Sequence, residues 1–209
     1  MKIDRAGIPF IVGALLPAGV LAVAGYPRWG VPLAIIAAFC AFFFRDPDRI
    51  TTVAGDAVVA PADGRVLHAG IPEPGLAPAG QWRQVSIFLS LLDVHVNRAP
   101  VSGRVLDVRY RSGRFFPAYR QESGRANEHS EVWIDHGGQT IVFRQVVGIL
   151  ARRVVCRLVT GMDVGVGQRF GIMKFGSRMD VFVPLSATLR VERGEYVLGG
   201  ETIIASLLS

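Results

Sequence analysis

The sequence predicts a mainly β chain of the β-rich α+β kind: a compact barrel- or sandwich-like domain preceded by an N-terminal hydrophobic helical hairpin. Three observations carry this. Two uncharged apolar runs, 8–26 and 31–44, are separated only by the turn Pro27-Arg28-Trp29-Gly30. From Val53 onward, short apolar or alternating runs recur with Gly, Pro and Asp between them, the period and punctuation of strands and turns. No strand–helix alternation appears, which disfavours a parallel doubly wound sheet.

Composition narrows the setting. The 209 residues support one domain of ordinary size with an appendage. Half of them are hydrophobic, and the excess lies in the first 44. Net charge is +6, carried almost wholly by arginine, and 104–178 holds thirteen Lys/Arg against six Asp/Glu. A basic face beside a hydrophobic N-terminus suits an anionic membrane. No nucleic-acid-binding motif is present, so nucleic acid is not an expected partner. Cys40 and Cys156 have no metal-ligand spacing, and no metal is expected. A disulfide is disfavoured, which points to a reducing compartment.

The elements follow in order. The run 8–26, about 19 residues, is just long enough to span a bilayer; 31–44, about 14, is short of the roughly 20 that spanning requires. Residues 1–44 therefore read as a hairpin that enters the membrane. Lys2 and Arg5 flank one end and Arg45 and Arg49 the other, which puts both ends on the cytoplasmic side. A secretory signal is the competing reading, disfavoured because no cleavage site follows the first run and a second apolar run does. A buried helical pair of a soluble protein stays open. Residues 45–209 form the second domain. Strands are expected at 57–60, 66–69, 84–91, 104–110, 131–135, 140–147, 154–158, 169–183, 188–191 and 201–207. The stretch 73–80 is a loop, 116–127 a polar mobile loop, and GILARRVV opens as a short helix.

Three residues gain chemical meaning only together. Asp63, in PADGRV, reads alone as a hairpin turn residue, because Asp-Gly between strands is a strong turn signal. His95, in LLDVHVNRAP, reads alone as a core or capping histidine. Ser177 interrupts the apolar run GIMKFGSRMDVFVP directly after Gly176, where glycine in a strand means a bulge or a close backbone approach. An Asp, a His and a Ser compose a base-activated hydroxyl in any chain order. No G-x-S-x-G elbow of a hydrolase is present. A serine inside a strand has one carbonyl within reach, that of the residue before it, and glycine there removes the side chain that would crowd the attack. The pattern is that of self-cleavage by an N→O acyl shift.

The stretches FFFRDPDR, APADGRV, FLSLLDVHVNRAPVSG, ANEHSEVW, FRQVVGILARRVV and GQRFGIMKFGSRMDVFVP, in this order over nearly the whole chain, resemble the short form of the phosphatidylserine decarboxylase proenzymes. The resemblance implies autocatalytic cleavage between Gly176 and Ser177 into a β-chain 1–176 and an α-chain 177–209, which stay together. Ser177 becomes a covalent pyruvoyl group, the pyruvate cofactor. That group forms a Schiff base with phosphatidylserine and accepts electrons as CO2 leaves, giving phosphatidylethanolamine. Asp63, His95 and Ser177 are implied as the processing triad, with His95 the base, oriented by Asp63, and a candidate to reprotonate the product carbanion. Some longer members carry a second His three residues after the first, where this chain has Arg98. A guanidinium cannot exchange protons near neutral pH but holds carboxylate or phosphate bidentately. Arg98 is therefore a candidate substrate binder, or a brace of the VNRAP turn. Arg178 is a candidate for the lipid phosphate, or an ion-pair partner of Asp180 or Glu192. His129 is a weaker candidate. The implied place is the cytoplasmic membrane, peripheral or monotopic, with the catalytic domain on the cytoplasmic side and self-association into a homo-oligomer left open.

A reading of another class rests on IMKFGS followed by VERGEYVLGGETIIA, which resembles biotin- and lipoyl-carrier domains, with Lys174 as the modified residue. Lys174 has an apolar strand on either side rather than an exposed turn, which disfavours it.

Overall fold

The computed structural model describes residues 2–53, 55–149, 154–174 and 176–208. The chain divides into two units, Met1–Asp48 and Arg49–Ser209.

In the first unit, the Asp4 carboxylate accepts the Ala6 N–H at 2.9 Å and caps a short 3-10 turn, Arg5–Gly7. Helix α1 (Ile8–Val23) follows, with a proline in its first turn, where a missing N–H costs nothing. Gly25, in the left-handed conformation, ends it. Helix α2 (Pro27–Phe43) returns antiparallel to α1 and is close enough that a Cβ on Gly30 would stand 2.8 Å from the Ala18 carbonyl oxygen. Strands β1 (Lys2–Ile3) and β2 (Arg45–Asp46) pair, so the charged ends of the hairpin meet. Phe43 and Phe44 are fully buried, whereas Leu16, Val20, Val23 and Ile35 are more than half exposed. Two helices alone cannot cover an apolar surface that continues all round. The stretch Arg5–Val23 is long and apolar enough to cross a membrane, and Pro27–Phe43 is shorter.

The second unit is β-rich. Its strands are β3 (Ala57–Val59), β4 (Gly64–Gly70), β5 (Trp82–Leu89), β6 (Val96–Arg98), β7 (Gly103–Arg111), β8 (His129–His136), β9 (Gln139–Val146), β10 (Val154–Cys156), β11 (Asp163–Val164), β12 (Arg169–Met173), β13 (Ser177–Pro184), β14 (Thr188–Leu189), β15 (Tyr196–Val197) and β16 (Ile203–Ser206), with one helical turn, α3 (Ser123–Ala126). An eight-stranded antiparallel sheet has the order β11-β7-β8-β9-β13-β5-β4-β15; two three-stranded sheets, β10-β12-β6 and β14-β16-β3, complete the unit. Alternation decides what each strand buries. Met179, Val181 and Val183 of β13 join Val85, Ile87, Val132, Ile134, Ile141 and Phe143 in one core with Phe170 and Met173. Each such side chain contributes about 1.5–3 kcal/mol on burial. Phe182, Val142 and Leu76 form a smaller cluster on the opposite face, with Trp82 and Trp133 beside it.

The mainly β fold behind an apolar helical segment is as expected. Two local expectations change, and a third lies largely outside the described residues. The run 169–183 is two strands of two different sheets: β12 ends at Met173 and β13 begins at Ser177. The break falls at Gly176, whose φ of 72° cannot continue a strand; Phe175 lies outside the described residues. The loop 116–127 is pinned rather than mobile. The Asn127 side chain bonds both backbone groups of Phe116 and donates to the Val147 carbonyl, each at 2.8 Å. The short helix expected at GILARRVV falls largely on 150–153, outside the described residues.

Candidate active site

Ser177 opens β13, paired with Leu89 of β5, in the strand between β9 and β5. Its Oγ is fully buried and has no hydrogen-bond partner among the described residues. Leaving a hydroxyl in that state costs about 1–3 kcal/mol, and such groups mark places where structure serves something other than stability. Gly176, just before it, directs its N–H at His95 Nε2, 3.4 Å away, the long end of hydrogen bonding. Apart from its two chain neighbours, a Cβ on Gly176 would meet nothing within 4 Å. Glycine is required there for the left-handed backbone, which costs another residue about 1–2 kcal/mol.

His95 is fully buried in the loop before β6. Its Nδ1 lies 3.0 Å from the Asp93 carbonyl oxygen. A carbonyl only accepts, so Nδ1 carries the proton and Nε2 presents a lone pair to the Gly176–Ser177 segment. The His95 carbonyl accepts the Met173 N–H at 3.2 Å, which fastens the end of β12 to the same loop.

Asp63 is brought near but is not where the triad reading expects it. The turn 60–63 is tied to β6 by the Arg98 N–H, which donates to the Pro61 carbonyl at 2.8 Å. The Asp63 carboxylate takes both Nη atoms of Arg49, one of them at 2.6 Å, and the Gly199 N–H at 2.8 Å. Arg49, expected as a flanking charge of the membrane segment, thus turns a largely covered side chain into the β-rich unit. Burial alone would lower its pKa; Asp63 outweighs burial and raises it.

Asp93 is the residue that sequence reasoning missed. Its carboxylate accepts the Ser90 N–H and hydroxyl at 2.7 Å each and the Tyr196 hydroxyl at 2.6 Å, so it shapes the loop whose carbonyl orients His95. Burial and then the Asp93 bond push the Tyr196 phenol far up. The D-x-H spacing in LLDVHV was the available signal.

Comparison with known proteins gives this site a context. The family model for phosphatidylserine decarboxylase matches residues 36–205. A phosphatidylserine decarboxylase proenzyme of Rickettsia rickettsii (strain Sheila Smith) is 42% identical over 207 residues, 97% of this chain and 89% of its own length. One of Solibacter usitatus (strain Ellin6076) is 41% identical over 208 residues, covering 100% and 98%. One of Anaplasma phagocytophilum (strain HZ) is 43% identical over 211 residues, covering 99% and 91%. The chain belongs to the phosphatidylserine decarboxylase family.

Family membership displaces the carrier reading of Lys174, which lies half-buried just past the end of β12. It also frames the two arginines expected at the substrate. Arg178 is 1% exposed. It donates from Nε to Asp180 at 2.6 Å, and from Nη2 to Glu73 at 2.7 Å and to Ser86 at 3.0 Å. Burial would lower its pKa, and Asp180 and Glu73 raise it instead. A buried guanidinium spent on two carboxylates offers no face to a lipid phosphate, so the ion-pair alternative with Asp180 replaces that expectation. Arg98 donates to the Gly167 carbonyl at 3.1 Å and lines an open cavity of about 420 Å³ with Arg49, Thr51, Gln168 and Arg169. Asn97, its neighbour, bonds Gln145 inside the core, so Arg98 leaves β6 on the other face.

Arg178 belongs to a larger device in this family member. One row across the eight-stranded sheet reads Arg109, Glu131, Arg144, Asp180, Ser86, His68, each in register with the next. Arg144 donates to Glu131, and the Ser86 hydroxyl to Asp180. Burial would raise the Glu131 pKa, and Arg144 brings it down. Charges opposite in sign lie side by side on the face away from the core.

His129, one pair along the same face, is 6% exposed and donates Nδ1–H to the Asn127 carbonyl at 2.8 Å. Burial pushes its pKa down; the Asn127 bond opposes this, and Arg144 and Arg111 add to the depression. The native state therefore binds fewer protons than the unfolded chain below about pH 6.5. Stability is full above that value and falls as pH drops toward the depressed native pKa. His129→Gln, which cannot titrate, is expected to lose less melting temperature between pH 7 and pH 5. Equal losses in melts of both proteins would discount the assignment.

Proposed function

We propose that the chain is a proenzyme that cuts itself at Gly176–Ser177 and then decarboxylates phosphatidylserine to phosphatidylethanolamine. One observation carries the reading: a buried serine hydroxyl with no hydrogen-bond partner among the described residues follows a left-handed glycine whose N–H faces Nε2 of a buried histidine.

The residues divide the work as follows. His95 Nε2 takes the Ser177 Oγ proton. Oγ bonds the Gly176 carbonyl carbon, the C–N bond breaks, and the proton passes to the freed nitrogen, leaving an ester. Loss of the Ser177 α-proton expels the Gly176 carboxylate and leaves dehydroalanine. One water then releases ammonia, and the new end of 177–209 is a pyruvoyl group. That group supplies the electron sink for loss of CO2 from an amino acid head group. Asp93 and Tyr196 hold the His95 loop, and Asp63 acts with Arg49 to fix the turn beside β6. The fit to a serine-derived group is the bare Oγ itself: nothing else in the described structure uses it.

Residues 1–44 serve as the membrane part and 45–209 as the catalytic part, on the cytoplasmic side. The exposed apolar helices support this, as do charges gathered at the hairpin's paired ends. Anionic phospholipid is the expected partner surface.

The test is the intact mass of the chain purified from membranes, with protease applied to either side beforehand. The expected result is two chains, 1–176 and 177–209, whose summed mass equals the full chain plus water minus ammonia, digested only from the cytoplasmic side. A single chain of full mass would end the reading, and digestion from outside would end the assigned orientation.

A further inference from the structure

The segment after β9 carries a glycine that no turn explains. Gly148 is not in the left-handed region, so its backbone would accept any residue. Its position is firmly set. The Val147 N–H donates to the Glu128 carbonyl at 3.1 Å, and the Val147 carbonyl accepts Asn127 Nδ2 at 2.8 Å. A Cβ built on Gly148 would stand 2.1 Å from the Gly176 carbonyl oxygen, 3.1 Å from its carbon and 3.4 Å from Ala118 Cβ. The space a methyl would fill is taken by the oxygen of the bond that the proposed reaction breaks.

We infer that Gly148 is a positioning residue for self-cleavage, seating the Gly176 carbonyl so that its carbon faces Ser177 Oγ. The inference rests on the self-cleavage reading. The Gly176 oxygen and the Ser177 nitrogen share one peptide plane, so seating the oxygen selects which face of the carbon meets the hydroxyl. Addition of Oγ moves the oxygen out of that plane and places charge on it as the C–N bond weakens. The proton taken from Oγ leaves on the nitrogen, so no outside reactant is required. The two glycines answer different demands: Gly176 supplies the backbone turn, and Gly148 supplies room beside the carbonyl. A displacement of about 1 Å at a reacting atom can cost on the order of 10²-fold in rate.

Gly148→Ala in the full chain tests this against two companions. Gly103→Ala is the harsher control for crowding, because a Cβ there would also stand 2.1 Å from a backbone carbonyl, that of Asp135, and its φ of 149° adds backbone strain, at a strand end that carries no proposed chemistry. Ser177→Ala is the control for the underlying reading. Cleavage is followed by denaturing gel with and without hydroxylamine, which severs an ester, and folding by thermal melt. Gly148→Ala is expected to fold and to stay whole on the time scale of the unaltered chain's cleavage, slowed on the order of 10²-fold. Hydroxylamine should release no fragment, since the block precedes the ester. Gly103→Ala should lose melting temperature yet cleave when folded. Cleavage of Gly148→Ala at the unaltered rate, a hydroxylamine-labile ester in it, or its failure to fold would each overturn the inference. If Ser177→Ala is itself cut, the self-cleavage reading falls and takes the inference with it.

Discussion

Replacing Ser177 by alanine is expected to leave one chain of full mass, without decarboxylase activity, that is at least as stable as the unaltered proenzyme before cleavage. The first half follows from chemistry, since no hydroxyl remains to attack Gly176. The second half follows from burial. The Oγ has no partner in the described structure, so its removal relieves a desolvation cost of about 1–3 kcal/mol while the β13 pairing with Leu89 persists. Function lost together with stability gained is the signature of a residue kept for its reaction. A gel and a urea titration of the variant check both halves. Two fragments on the gel would remove the role of Ser177. A large loss of stability would mean that the hydroxyl has a partner after all.

Asp180→Ala is expected to destabilise the protein by about 3–5 kcal/mol, the cost of breaking a buried ion pair from one side. Asp180 is fully buried, and its loss leaves the 1% exposed Arg178 guanidinium with Glu73 as its one carboxylate partner among the described residues. The Ser86 hydroxyl loses its acceptor as well. The exposed pair Asp107–Arg109 is the natural contrast, since the same substitution at Asp107 should cost no more than about 1 kcal/mol. Urea titrations of the two variants read the difference directly. Similar small losses would mean that the charged row is not coupled to folding. For domains stable by only 5–15 kcal/mol, the expected loss at Asp180 also lowers the amount of folded protein in cells.

Much of the architecture was legible because hydrophobic period is a local property. The alternation of Met179, Val181 and Val183 marks β13 without any knowledge of its neighbours. The Gly-Ser pair within an apolar run singled out Ser177 only when read together with Asp63 and His95. What stayed hidden depended on partners distant in the chain. Arg49 looked like a membrane-flanking charge because Asp63, fourteen residues on, gives no local sign of folding back to it. Arg178 looked free to meet phosphate because its parity on the strand puts it on a face that Glu73 and Asp180 occupy only after the sheet forms. The left-handed backbone of Gly176 went unread, because no residue type declares a backbone angle by itself. The charged row is a product of register across six strands, and register is invisible in any one of them.

Strand β13 lies between β9 and β5, hydrogen-bonded on both edges. If the chain is cut as proposed, the piece that begins at Ser177 would stay in place, as a plank stays in a floor after one end is sawn. The cut would become apparent only on unfolding. While the chain is whole, this strand finds its slot at the millimolar effective concentration of a tethered segment; afterwards it must find it by diffusion, from whatever dilution the sample imposes. Refolding would therefore be independent of protein concentration before the cut and dependent on it afterwards. The finished enzyme would carry a fold assembled while it was one molecule and recover it poorly as two.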